Sequence, residues 1–180
     1  MRYITFLGTC FLLFIPAPAY AQMTGLEIER FFTDIEELYN QKKPDMKKIQ
    51  EQKALYMSED FLSKMEARSN LGDKVIYLEQ NREEVLADLD DKTNELLNSN
   101  ISHTITDIRY EQDKMNAEVD YTSLFKGDIK TEKEDLGMVI IKFKALSVCT
   151  EALRLVDGDL KSYRSDCKTD LLYSKPEPIE

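Results

Sequence analysis

The sequence predicts an α+β domain, with N-terminal helices packed on an antiparallel sheet, and three observations carry that prediction. Apolar residues between Leu26 and Gln41 recur at helical spacing. From Ile101 onward the apolar period changes to two, the signature of half-buried strands. Cys149 and Cys167 sit the same number of residues either side of Gly158, so a hairpin turning at Asp157, Gly158 and Asp159 brings them opposite each other.

The first residues read as a sorting signal rather than as fold. Arg2 opens an apolar run from Ile4 to Ile15, Pro16 and Pro18 follow, and Ala19, Tyr20 and Ala21 place small residues at a cleavage site. This is the tripartite pattern of a secretory signal peptide, cut after Ala21, and it predicts a secreted or periplasmic protein. The run is short and proline-interrupted for a membrane span, so no stable span is expected after cleavage; a retained anchor is the alternative. Cys10 follows Leu7, Gly8 and Thr9, but the apolar run continues past it and threonine suits the position before a lipidated cysteine poorly.

Arg2 is the one charged residue before Gln22, so a chain cut there is one unit more negative than the −10 of the whole. Such a surface repels phosphate backbones and anionic headgroups, which argues against nucleic acid as a partner. The predicted organisation is a signal peptide over 1–21, one α+β domain over 22–174, and a disordered tail over 175–180, where prolines and glutamates alternate. Cys149 and Cys167 then remain in a compartment that permits a disulfide. Two free thiols are the alternative, and a redox pair is disfavoured because there is no C-x-x-C spacing.

In chain order, Ile28, Phe31, Phe32, Ile35, Leu38 and Tyr39 form one helical face, ended by Lys42, Lys43 and Pro44. A more polar helix is predicted from Asp45 to about Ala54. Ser58 reads as the N-cap of a short helical turn carrying Phe61, Leu62 and Met65, and Asn70 to Asp73 as a turn. Val75 to Leu78 predicts a short strand, because Asn81 and Glu84 resemble a capping box that starts a helix after it. That helix carries Val85, Leu86, Leu89, Leu96 and Leu97 up to about Ser99; a coiled coil fails, since its core would take Arg82 and Lys92.

A hairpin turning at Gln112 and Asp113 then pairs Tyr110 with Met115, Ile108 with Ala117, Thr106 with Val119 and Thr104 with Tyr121 on one inner face. His103 falls on the opposite, solvated face, where Ile105 is the apolar exception. Lys126 to Asp135 reads as a charged connection. In the long strand from Val139, Leu146 and Val148 break the alternation, which predicts a bulge near Leu146. The returning strand carries Tyr163, Ser165, Cys167 and Leu171 on one face.

This order resembles the nuclear transport factor 2-like superfamily, in stretches such as ISHTITDIRYEQDKMNAEVDYTSLFKG and LVDGDLKSYRSDC, where paired strands flank short polar turns. The resemblance spans about Leu26 to Tyr173. It implies a cone, a strongly curved sheet wrapped around the helices with a pocket at the open end. Similar proteins include ketosteroid isomerases, scytalone dehydratases and polyketide cyclases, alongside non-catalytic binding and assembly modules, so fold leaves function open. No catalytic residue is carried over.

The candidate site residues follow from strand phase. With Cys149, Leu153 and Leu155 inward, Glu151 is inward too, opposite Ser165, where an apolar surround raises a carboxyl pKa and suits it to general-base work. The alternative is that a bend exposes it or that an Arg or Lys pairs with it. Tyr121, Thr104, Thr106 and Tyr163, with Tyr110, are candidate hydrogen-bond donors to an oxygen-bearing ligand, or else satisfy one another in the core. With one histidine predicted outward, a Ser-His-Asp triad is disfavoured. There is no clustered His or Cys for zinc, and Asp88, Asp90 and Asp91 lack a calcium loop's glycine and spacing. The glycines are scattered, with no phosphate loop, and no cofactor is expected.

The function these readings favour is a secreted, non-catalytic binding module taking a small apolar ligand or an envelope protein. One alternative is a small isomerase, dehydratase or cyclase using Glu151 as its buried carboxylate. Another is a structural subunit of an envelope or secretion assembly, which requires an exposed apolar patch; a homodimer through the sheet face belongs to the same line of reading. Whether Phe31, Phe32 and Phe143 fill the cone decides between a ligand and a protein partner.

Overall fold

Thr24 starts the first helix with a reciprocal cap: its hydroxyl accepts from the Glu27 amide, and its own amide donates to the Glu27 carboxylate at 2.8 Å. In the computed structural model, which describes residues 22–89 and 94–179, this helix α1 spans Gly25–Tyr39. The expected signal peptide and Asp90 to Lys92 lie outside the described residues. The predicted apolar face is the buried one, with Ile28, Phe31, Phe32, Leu38 and Tyr39 inside. Asn40 ends the helix and ties it to the sheet: its side chain accepts from the Ile101 amide at 2.6 Å and donates to the Ile101 carbonyl at 3.1 Å.

Asp45 caps α2 (Met46–Tyr56), which passes directly into β1 (Met57–Ser69). Here the structure corrects the sequence reading. Ser58 caps no helical turn; Met57, Phe61 and Ala67 are buried along an extended strand. The spacing of Phe61, Leu62 and Met65 suits a helix, yet the strand pairs antiparallel with β2 (Gly72–Asn81) and parallel with a strand from the far end of the chain. The capping box predicted at Asn81 is present, with the Asn81 amide donating to Glu84 at 2.9 Å and the Glu84 amide donating to Asn81 at 3.0 Å. Among the described residues the helix it starts, α3, spans Arg82–Leu89. Leu96 and Leu97, expected on that helix, open β3 (Glu95–Tyr110) instead.

The remaining strands are β4 (Asn116–Lys133), β5 (Gly137–Val156), β6 (Asp159–Tyr173) and β7 (Glu177–Pro178). The charged stretch expected to be a connection is therefore strand as far as Lys133, and the expected disordered tail pairs with β5 through Pro178 opposite Val139 and Glu177 opposite Ile140. Within the described residues the sheet runs β2-β1-β6-β5-β4-β3, with β7 added on β5. It is antiparallel throughout except for the β1–β6 pair, which makes it mixed. The helices pack on one face of this long sheet, and the α+β cone implied by the resemblance is the arrangement observed.

Two one-residue irregularities decide which side chains enter the cone. The β3–β4 register shifts between Ile105 and Asp107, so Thr106 is the extra residue. Beyond it Ile105 faces Tyr121 and His103 faces Ser123, whereas the expected partner of Tyr121 was Thr104. The second shift lies between Ala152 and Leu153 on β5, where Tyr163 is the extra residue on β6. No shift occurs at Leu146: β5 pairs with β4 without interruption from Gly137 to Arg154. Leu146 and Val148 are simply on the outer face, 48% and 63% exposed.

The hairpin turn at Asp157 and Gly158 has φ of 55° and 90°, the left-handed backbone that a two-residue hairpin loop requires and glycine supplies without strain. Two turn residues alone would misalign the cysteines by one. The extra residue at Tyr163 restores the match, and Cys149 pairs opposite Cys167 in a disulfide.

Candidate functional site

Between the helices and the inner face of the sheet lies a cavity of about 490 Å³. Its wall includes the rings of Phe31 and Phe32 from α1, Phe61 from β1, and Phe125 and Phe143 from β4 and β5. The cone is thus hollow, although rings from both layers meet: Phe32 and Tyr121 lie 4.7 Å apart and Phe125 and Phe143 5.0 Å apart between centroids.

Glu151 is the charged group that the sheet contributes. Unbroken alternation along β5 places it inward with Cys149 and Leu153, opposite Ser165 as expected, and only 7% of it is exposed. Ser162 donates its hydroxyl to Oε1, and the Tyr121 hydroxyl donates to Oε2 at 3.4 Å. Burial pushes the Glu151 carboxyl above the ordinary glutamate value, and the hydroxyls of Ser162 and Ser165, the charge of Lys53 and the Tyr121 hydroxyl pull part of the way back. Burial, with Glu151 beside it, likewise pushes the Tyr121 phenol well up, so it remains a donor at neutral pH.

His103 is on this wall as well, contrary to the outward position expected. The Thr106 irregularity turns it in, and its side chain is 6% exposed. It lies against the Phe32 and Tyr121 rings, at 5.2 Å and 5.5 Å between centroids. Glu36, one turn beyond Phe32 on α1, accepts from the His103 backbone amide at 2.5 Å and lies 3.1 Å from Nδ1. Burial drives the imidazole pKa down against the upward pull of Glu36, which leaves the ring neutral at pH 7. A neutral ring donating from Nδ1 to Glu36 presents an unprotonated Nε2.

The other sequence candidates are elsewhere. Thr104 and Thr106 are exposed on the outer face, with the Thr106 hydroxyl donating to the Asp120 carbonyl at 3.0 Å. Tyr163, displaced by its own extra position, lies outside the cavity beneath the Arg154 guanidinium, 5.2 Å from its ring, and shares a surface groove with Arg109 and Glu118. Tyr110 is 37% exposed. Ser162 and Lys53 line the cavity, and Glu36 reaches it only through its bonds to His103; none of the three was anticipated. Only Glu36 left a trace in the sequence, sitting on the flank of the buried α1 stripe.

A second, larger hollow of about 580 Å³ lies on the outer face between β1, β2, β5 and β6. Its exposed apolar residues Tyr77 and Val148 are interleaved with Lys64, Glu66, Glu79 and Lys168, and Lys64 pairs with Glu79 at 3.3 Å. Among the described residues no buried ionisable group lines it, which makes the inner cavity the better site for chemistry. Among the described residues no group of three metal-ligating side chains comes together, and no helix is long and apolar enough to cross a membrane.

No family profile matches the chain, and no curated protein matches it in sequence. Solved structures similar to it include a conserved protein of Planctomyces limnophilus, 13% identical over 84% of this chain and 93% of that one, at a TM-score of 0.49. They also include a nuclear transport factor 2-like protein of Cytophaga hutchinsonii, 14% identical over 81% and 98%, at 0.42. A third, a nuclear transport factor 2-like protein of unknown function from Shewanella baltica, is 13% identical over 82% and 98%, also at 0.42. No residue role is carried over from any of them.

Proposed function

We propose that this protein is a secreted or periplasmic binding module that holds a small, largely apolar molecule inside its cone, with Glu151, Tyr121 and His103 at the polar end. The observation that carries the reading is the open cavity itself: aromatic walls with a few convergent polar groups are how proteins build small-molecule sites. The disulfide agrees with an oxidising compartment and supports the sorting signal read at the N-terminus. Native mass spectrometry of the protein purified from its own host's secreted or periplasmic fraction tests it. The expected result is a mass excess that disappears on denaturation; a bare mass at every stage of purification, with no small molecule recovered, counts against it.

A second reading, proton-transfer catalysis, draws on the buried state of Glu151. A carboxyl whose pKa is raised by burial is a better base at neutral pH than an ordinary glutamate, and the neutral Tyr121 phenol beside it is placed to donate to an oxygen that gains charge. In this reading Glu151→Gln abolishes turnover of the cognate substrate while the folded state persists. Retained turnover in that variant excludes Glu151 as the base.

A further inference from the structure

Among the described residues the cavity wall carries one full positive charge, and no carboxylate lies within ion-pair distance of it. Lys53, in the last turn of α2, lines the cavity, and its Nζ lies 5.6 Å from the centre of the Tyr39 ring. Among the described residues it makes no ion pair. Most other lysines with an assigned contact pair with a carboxylate, as Lys130 does with Glu95 and Lys142 with Glu177.

Glu151 faces the same space but is no counter-ion in contact: its oxygens are taken by Ser162 and Tyr121, and no salt bridge joins it to Lys53. His103, neutral and engaged by Glu36, adds no charge. An ammonium held against an aromatic face at the edge of an apolar cavity gains from an anion whose body is itself apolar.

We infer that the molecule held in the cone is an apolar monocarboxylate, its carboxylate paired with Lys53 and its body against the aromatic wall. The inference rests on the ligand-binding reading of the cavity and sharpens it from any apolar molecule to an organic acid. Glu151 and Tyr121 line the same cavity, where an uncharged oxygen of the ligand suits Tyr121 as donor and a second anion is disfavoured beside Glu151.

The test compares decanoate with decanol, which share a chain and differ in charge, by titration calorimetry on the full mature protein. The variants are Lys53→Met, which keeps the aliphatic stem, and Lys53→Arg, which keeps the charge. Wild type is expected to bind decanoate about tenfold more tightly than decanol, the size of one charge-assisted hydrogen bond. The preference disappears in Lys53→Met, survives in Lys53→Arg, and weakens as salt rises. Decanol binding in Lys53→Met shows that the variant is folded and its cavity open.

Decanol bound as tightly as decanoate, or a decanoate preference intact in Lys53→Met, overturns the inference and leaves the binding reading standing. Neither probe bound by wild type removes both.

Discussion

Replacing Glu151 with glutamine changes how stability depends on pH, and the sign follows from burial. The ordinary glutamate value is 4.5 and the folded value is higher. Between the two, native protein keeps a proton that the unfolded chain has released, so stability falls as pH rises, by about 1.4 kcal/mol per pH unit. His103 acts oppositely: its folded value lies below the ordinary 6.5, so between the two the unfolded chain binds the extra proton and stability rises with pH. In wild type the two slopes have opposite signs. Glu151→Gln removes the falling one, so the stability of the variant minus that of wild type climbs as pH increases above 4.5, by up to about 1.4 kcal/mol per unit. Asp120, held at about 2 by Arg109 and Thr150, is fully ionised there and leaves the comparison clean. Urea unfolding of both proteins at several values from pH 4.5 upward measures this. Parallel curves would show that Glu151 titrates as an exposed carboxylate and would refute its placement in the cone.

Three further outcomes follow from the same structure. Replacing Cys149 and Cys167 together by alanine is expected to cost about 3 kcal/mol, the chain-entropy value for a separation of 18 residues, and urea unfolding with and without reductant should show a similar loss in wild type. Gly127→Ala sets a Cβ 2.9 Å from a Phe143 ring carbon and 3.1 Å from Leu96; the Phe143 ring must move, which is expected to cost about 1–3 kcal/mol in thermal unfolding and to weaken probe binding in the cavity it lines. Asp120→Asn removes the Arg109 tie but, for a partly exposed pair, costs under about 1 kcal/mol. That contribution is present above the ordinary value of 3.8 and fades as pH falls toward about 2, so wild type and variant should converge in acid unfolding.

The features legible in the sequence were those set by local pairing. The cysteines spaced evenly about Gly158 signalled the last hairpin, although its two-residue turn brings them opposite each other only with the extra residue at Tyr163, and the amphipathic stripe of α1 signalled its buried face. Glu151 is inward opposite Ser165 because β5 pairs with β4 without a shift from Gly137 to Arg154. Leu146 and Val148 suggested a bulge only because apolar side chains on the outer face resemble core in a linear pattern. What could not be read depends on distant partners. β1 is held by a parallel pairing with β6 about a hundred residues away, and the helical spacing of Phe61 and Met65 carries no trace of it. The extra residue at Thr106 reverses the face of His103 and Thr104 at one stroke, and the apolar exception at Ile105 was its one visible sign. Lys53 and Glu36 enter the site from the helices, whose docking on the sheet no short-range pattern encodes.

The most direct test of a hollow, ligand-holding cone is a crystal structure of the protein purified from its own host, read for density inside the cavity. The account predicts non-protein density along the Phe32, Phe125 and Phe143 rings, ending against Lys53, with the Glu151 carboxyl buried and bonded by Ser162 and Tyr121. Side chains closing the space completely, or Glu151 turned out to solvent, would contradict it.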